Sequence, residues 1–279
     1  MPACLVFPGQ GSQFVGMAQG LDPEFVPDEG LVVLMNTGPA EDLDQTENAQ
    51  RAVLAVDCAQ ARGLSHASLA MGHSLGEYAA LVAAGVLSYA AACELVAVRA
   101  RCMAEAGRLA DGGMAAVLGL GLSAVEAVVA GLEDVYVANV NGDNQIVIAG
   151  RKAAVQAAEA PLKEAGAKRC VALKVSVASH CPLMEPARLK LAEQLQTVAL
   201  HEPRMPVIFN VTADTEDRPE AIRELLSAQL VSPVRWTASV AKAIELGIDS
   251  FIECGPQSVL SALIRRPAPT VQVETRTVK

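Results

Sequence analysis

Short apolar runs of strand length alternate along this 279-residue chain with longer stretches whose apolar residues recur every three or four positions, the mark of amphipathic helices. Residues 2–7 predict a buried strand that empties into Pro8-Gly9-Gln10-Gly11-Ser12-Gln13, a loop that exposes backbone amides. From 20 to 44, Pro, Gly and acidic residues surround a single apolar run, 31–35, and no long helical period is visible. The pattern then predicts helix 49–64, strand 68–71, helix 75–84 and helix 89–107.

The next stretch has the clearest local order: strand 113–120, helix 123–132, strand 135–140, strand 145–149, helix 151–166 and strand 169–175. Asn141-Gly142-Asp143-Asn144 turns the central hairpin, so the run forms a β-α-β-β-α-β unit. Beyond it follow a helix behind Ser179-His180-Cys181-Pro182, strand 207–211, helices 219–230 and 237–246, strand 250–254, helix 257–266 and a polar, proline-broken tail. Strands alternating with helices on both sides of the unit predict an α/β protein. Its large domain, a parallel-sheet, α/β-hydrolase-like body, takes residues 1–111 and 176–279, and a ferredoxin-like small domain is inserted at 112–175. The cleft between the two is the natural site.

Composition narrows the function. With 52% hydrophobic residues the chain has ample material for a core, yet its longest uncharged apolar run near residue 74, 78–93, is interrupted by Gly85 and Ser88 and falls short of the roughly 18 to 20 residues of a membrane span. No basic, apolar leader opens the chain, so a cytoplasmic location is expected. Seven scattered cysteines lack the close pairs of a zinc or redox site and read as small buried hydrophobes. A formal charge of −9 and 3% aromatic residues oppose nucleic acid as a partner.

Candidate chemistry begins at Gly72-His73-Ser74-Leu75-Gly76, where a predicted strand hands over to a predicted helix. Glycines two apart around a serine permit a sharp turn that lifts the hydroxyl clear of the sheet, and the amides of the following helix face an oxyanion forming there. Helix 89–107 carries an apolar stripe of Ala92, Leu95, Val96, Cys102, Met103 and Ala106, with Arg99 its only charge. A buried ion pair, a snorkelling side chain and a ligand anchor are the three ways to satisfy such a guanidinium. A serine nucleophile also needs a base, and there are four histidines. His73 adjoins Ser74 on a tight turn and is expected to point away, while His66 and His201 stand in loop-like sequence. His180 lies where the chain returns from the inserted unit and can reach the cleft, although a core-satisfied structural histidine fits there too.

Several ordered motifs together carry a resemblance: FPGQGSQ near the start, GHSLGEYAALVAAGVLS around Ser74, RARCM from Arg99, SVASHCPLM around His180, QLVSPVRW, and ECGPQSVL near the end. Over nearly its whole length the chain is similar to the malonyl-coenzyme A:acyl-carrier-protein transacylases. The resemblance implies Ser74 as the acylated nucleophile and His180 as its general base, oriented by the backbone carbonyl of Gln229. It implies an oxyanion hole from the Gln10 and Leu75 amides, Arg99 as the clamp on the malonyl carboxylate, and Gln50 and Asn141 beside the substrate. Malonyl-coenzyme A and an acyl carrier protein would be the partners, in fatty-acid or polyketide biosynthesis, with no metal and no cofactor beyond the thioester substrate itself. An acidic carrier calls for a positive landing site, for which Lys168, Arg169 and Lys174 on the small domain and Arg188 and Lys190 on the large one are candidates.

Three departures from the family pattern bear on these expectations. The 17–44 region is shortened, which puts the helices usual there in doubt. Gln50-Arg51-Ala52 replaces Gln-Pro-Ala. Asn141-Gly142-Asp143 replaces Asn-Ser-Pro and resembles the malonyl-transferase subunit of malonate decarboxylase. The small residue before the histidine in Val177-Ala178-Ser179-His180 leaves room for a methyl branch, as in a methylmalonyl-using polyketide acyltransferase that acts in trans. A serine thioesterase or esterase and an inactive carrier-binding subunit complete the alternatives.

Overall fold

The computed structural model describes residues 2–64, 66–175 and 177–278; Ser176, which opens the SVASHCPLM motif, lies outside them. Strand β1 (Ala3–Phe7) is buried at every position, as a strand covered on both faces must be. Two short helices, α1 (Glu29–Thr37) and α2 (Ala40–Leu43), then form in the stretch where the sequence shows no long period. The cause is local. Asp28 caps α1 by accepting a hydrogen bond from the Leu31 amide at 2.8 Å, and Leu31 and Met35, one turn apart, are buried in the core. Helix α3 (Thr46–Ala61) packs on the sheet, and β2 (Leu69–Gly72) runs parallel to β1 with Val6 opposite Met71. Helix α4 (Gly76–Ala83) follows directly, and α5 (Tyr89–Ala110) starts at Ser88, whose hydroxyl accepts from the Ala91 amide.

The chain then enters a second sheet: β3 (Gly112–Leu118), α6 (Leu122–Val129), β4 (Val135–Gly142), β5 (Gln145–Arg151), α7 (Lys152–Ala157), α8 (Glu159–Glu164) and β6 (Arg169–Ala172). Its strands are antiparallel in the order β4-β5-β3-β6, the ferredoxin-like arrangement, over a core that includes Val117, Val125, Ile146, Ile148 and Leu162. The helix expected over 151–166 is two helices, because Pro161 has no N–H to return to the turn before it.

Returning to the first sheet are α9 (Glu185–Thr197), β7 (Val207–Ile208), α10 (Pro219–Ala228), α11 (Trp236–Glu245), β8 (Ser250–Gly255), α12 (Ser261–Arg265) and β9 (Gln272–Thr277). The sheet is wholly parallel in the order β7-β2-β1-β8-β9. Three expectations change here. The strand expected over 207–211 stops at Ile208, and the chain turns so that Asn210 reaches the end of β2. The helix expected over 257–266 begins only at Ser261, because the Glu253 carboxylate draws in the amides of Val259, Leu260 and Ser261. The polar tail supplies β9, an edge strand paired with β8 from Ser250–Gln272 to Gly255–Thr277.

Hydrogen bonds tie β4 of the second sheet to the segment that leads into α11, beside the cleft. Val140 N–H donates to Val234 O at 2.8 Å and Val234 N–H to Ala138 O at 2.9 Å, while the Thr237 hydroxyl donates to Val140 O. Among the described residues no helix is long and apolar enough to cross a membrane.

Candidate active site

The turn from β2 into α4 is possible only with glycine at two places. A β-carbon on Gly72 would stand 1.9 Å from the Gly76 carbonyl carbon, and one on Gly76 would stand 2.1 Å from Phe7 O. Ser74, between them, is held at φ 54°, a left-handed conformation that a serine adopts only when its surroundings impose it. Asn210 imposes it: its side-chain oxygen accepts from Ser74 N–H at 2.7 Å and its amide nitrogen donates to Gly72 O at 2.6 Å. The truncation of β7 is what brings that asparagine into place.

His180 is also left-handed, at φ 62°, and directs Nε2 to 2.7 Å from Ser74 Oγ. Its Nδ1 lies 2.8 Å from Gln229 O. A carbonyl oxygen only accepts, so the proton resides on Nδ1 and Nε2 is free to take the serine proton. Burial, reinforced by the nearby Arg99 charge, pushes the imidazole down to about 3. The ring is therefore neutral across the physiological range, in the form a base requires.

Arg99, on α5, is 1% exposed and reaches the same point. One terminal nitrogen donates to Gln50 Oε1 at 2.6 Å; the other donates to Gln229 Oε1 at 3.0 Å and to Ser74 Oγ at 3.1 Å. Its Nε is buried with no partner among the described residues, and the guanidinium lies over the Tyr78 ring, 5.7 Å from its centre. Of the three ways to satisfy a buried arginine, the ion pair and the snorkelling chain are absent among the described residues. What remains is a fork held by neutral amides beside a hydroxyl, a geometry suited to receiving an anion.

Ser74, His180 and Arg99 line a cavity of about 180 Å³, with Gln10 and Leu75 on its wall. Neither backbone amide of those two residues donates to another described group, so both are available to an oxyanion. Asn141 also reaches the cavity, but its side-chain oxygen accepts from His73 Nε2 at 2.9 Å, tying the β4–β5 hairpin to the serine turn. His66 and His201 are exposed. Among the described residues no group of three His, Cys, Asp or Glu is placed to hold a metal ion.

Two residues of the site escape a reading of the sequence. Asn210 looks there like an ordinary turn residue. Glu77 looks like a solvated acid in the first turn of α4, where the helix dipole favours one, yet it is wholly buried and accepts from Asn210 N–H at 2.7 Å and Gln229 Nε2 at 2.9 Å. The side chain of Gln229, not only its carbonyl, thus joins Glu77, the Ser74 carbonyl and Arg99. Of the candidate carrier contacts, Lys168, Arg169 and Lys174 are exposed and unpaired among the described residues, whereas Arg188 is paired with Glu185 and Lys190 with Glu105.

Residues 4–278 match the acyl transferase domain family. The malonyl CoA-acyl carrier protein transacylase of Escherichia coli strain K12 is 41% identical over 286 residues, covering 95% of this chain and 93% of its own. That of Bacillus subtilis strain 168 is 41% identical over 282 residues, covering 94% and 89%. Among solved structures, the malonyl-CoA:acyl carrier protein transacylase of Xanthomonas oryzae superposes with a TM-score of 0.94 at 41% identity, covering 99% of this chain and 96% of that one. A malonyl-transacylase solved in complex with its type II polyketide acyl carrier protein gives 0.94 at 37% identity, covering 100% and 97%. With a family match over nearly every residue and relatives of full length, this chain belongs to the acyl transferase domain family.

Proposed function

We propose that this protein moves a malonyl group from coenzyme A to the phosphopantetheine thiol of an acyl carrier protein through an ester on Ser74. The observation that carries the reading is the buried Arg99 fork 3.1 Å from Ser74 Oγ, a cation aimed at the acylation point with only neutral partners. His180 Nε2 takes the serine proton as Oγ attacks the thioester carbon, and Nδ1–H, held on Gln229 O, keeps the imidazolium in place. The Gln10 and Leu75 amides hold the oxyanion of the tetrahedral intermediate. His180 returns the proton to the departing coenzyme A thiolate. The carrier thiol then repeats the sequence in reverse, so no metal or redox cofactor is needed.

A thioesterase would let water attack the same ester, but a carboxylate clamp serves no purpose in general ester hydrolysis. The Asn141-Gly142-Asp143 turn keeps the malonate decarboxylase subunit as a second reading; carrier preference separates it from the first. Coenzyme A thioesters and a reduced thiol carrier fit a cytoplasmic setting. Exposed Lys168 and Arg169 are the carrier's landing site in this reading, so reversing both charges should raise the carrier KM at low salt and leave acylation by malonyl-coenzyme A intact; unchanged carrier kinetics would remove the patch.

Intact-mass spectrometry after mixing with malonyl-, methylmalonyl- and acetyl-coenzyme A tests the reading directly. A malonyl adduct is expected on the wild type and none on Ser74→Ala, with the variant still folded. An adduct that persists on the alanine variant, or maps to Cys181, would reject Ser74 as nucleophile.

A further inference from the structure

Arg99 carries a full charge while only 1% exposed, and each of its hydrogen-bond partners, Gln50, Gln229 and Ser74, is neutral. Among the described residues the carboxyl whose charge bears on it is that of Glu77. The two do not touch. The Gln229 side chain stands between them, its oxygen 3.0 Å from the guanidinium and its nitrogen 2.9 Å from Glu77 Oε1. An amide so placed aligns its dipole with both charges and transmits their attraction at low dielectric. A substrate carboxylate docking on the guanidinium would put two anions around one cation.

We propose that Glu77, once ionised, is the counter-charge of Arg99 and sets acyl specificity: a substrate carboxylate docks in competition with it, so preference for a carboxylate-bearing acyl group weakens as Glu77 ionises. The proposal rests on reading Arg99 as the clamp. Burial pushes the Glu77 carboxyl up to about 8, against the downward pull of its hydrogen bonds to Asn210 and Gln229 and of Arg99, so the change falls in an accessible range. The other groups around it stay put there. Burial holds His180 at about 3, His73 below its ordinary value and Tyr78 at about 12. Cys4 is the only titratable residue on β1 and β2, and its thiol is raised further by burial. Asp57, the buried acid of α3, does not bear on Glu77.

The test is the ratio of kcat/KM for malonyl-coenzyme A to that for acetyl-coenzyme A between about pH 6 and about pH 9, a window that brackets Glu77 and leaves the malonyl carboxylate ionised throughout. Titration of the shared coenzyme A leaving group cancels in the ratio. In the wild type the ratio should fall about tenfold as pH rises, through the malonyl KM, as one opposing charge near the site requires. Glu77→Gln should give a flat profile, and Glu77→Asp should restore the slope. A flat wild-type ratio, or a slope that survives in Glu77→Gln, would overturn the proposal, and the wild-type profile decides even if the variants fail to fold. If the wild type forms no malonyl adduct at all, the transferase reading beneath it falls as well.

Discussion

Glu77 and Asp57 are both wholly buried acids, and their surroundings are opposite. Glu77 has both carboxyl oxygens engaged, one by Gln229 and one by Asn210, with the Arg99 charge one amide away. Asp57, on α3, has no hydrogen-bond partner for either oxygen among the described residues, and the charge that bears on it is that of another acid, Glu253 on β8. Glu253 resembles Glu77: the amides of Val259, Leu260 and Ser261 and the hydroxyls of Ser258 and Ser261 all donate to it. Burial alone therefore says little about what an acid does. Where donors converge, the carboxylate organises its surroundings, at Glu77 the catalytic turn and at Glu253 the start of α12. Where none do, as at Asp57, no donor offsets the burial that favours the neutral form.

The largest expected effect lies on the cleft side of that contrast. Arg99→Ala removes the cation from a site whose remaining members are a neutral imidazole, neutral amides and an acid that accepts a proton readily. The fold should survive, because burial already pushes the Glu77 carboxyl up to about 8 and removing the cation only favours its neutral form further. Loss of a desolvated arginine–carboxylate pair costs roughly 3 to 5 kcal/mol, or about two to three and a half powers of ten in kcat/KM for malonyl-coenzyme A. Acetyl transfer, which offers no carboxylate, should be spared or improved. Equal loss for both substrates in a variant of lowered Tm would show that Arg99 is structural, and would put Glu77 and Asp57 in the same class.

The same contrast marks how far the sequence can be read. Ser74, Arg99 and His180 are legible because each breaks a local rule: glycines around a serine at a strand end, a charge on an apolar stripe, a histidine where the chain re-enters a domain. Glu77 breaks none, since an acid in a helix's first turn is what the dipole favours. Only the tertiary approach of Asn210 and Gln229 shows that it faces inward. The parallel sheet follows from the alternation of strands and helices, but β9 is an exposed edge strand with no apolar period and so reads as a tail. The start of α12 is equally invisible, because it is set by hydrogen bonds to Glu253 and not by propensity.

The smaller effect lies on the Asp57 side. Burial, and secondarily Glu253, raises the Asp57 carboxyl well above its ordinary value. Its pKa is higher in the folded chain than in the unfolded one, so the folded state binds more protons wherever the pH lies between the two. Stability from this group is fully present below about pH 4, where both states are protonated, and is lost as pH rises toward the folded value. Asp57→Ala removes that loss together with two unpartnered oxygens. The variant should gain about 1 to 3 kcal/mol, the usual penalty of a buried unsatisfied polar group, and show a higher Tm. The gain should be larger at about pH 8 than at about pH 5, because more of the proton-linked loss has accumulated by then. Thermal melts of the two proteins at both pH values check this. A Tm that falls on substitution, with a difference that does not vary with pH, would mean that Asp57 has partners in solution and belongs with Glu77 and Glu253 after all.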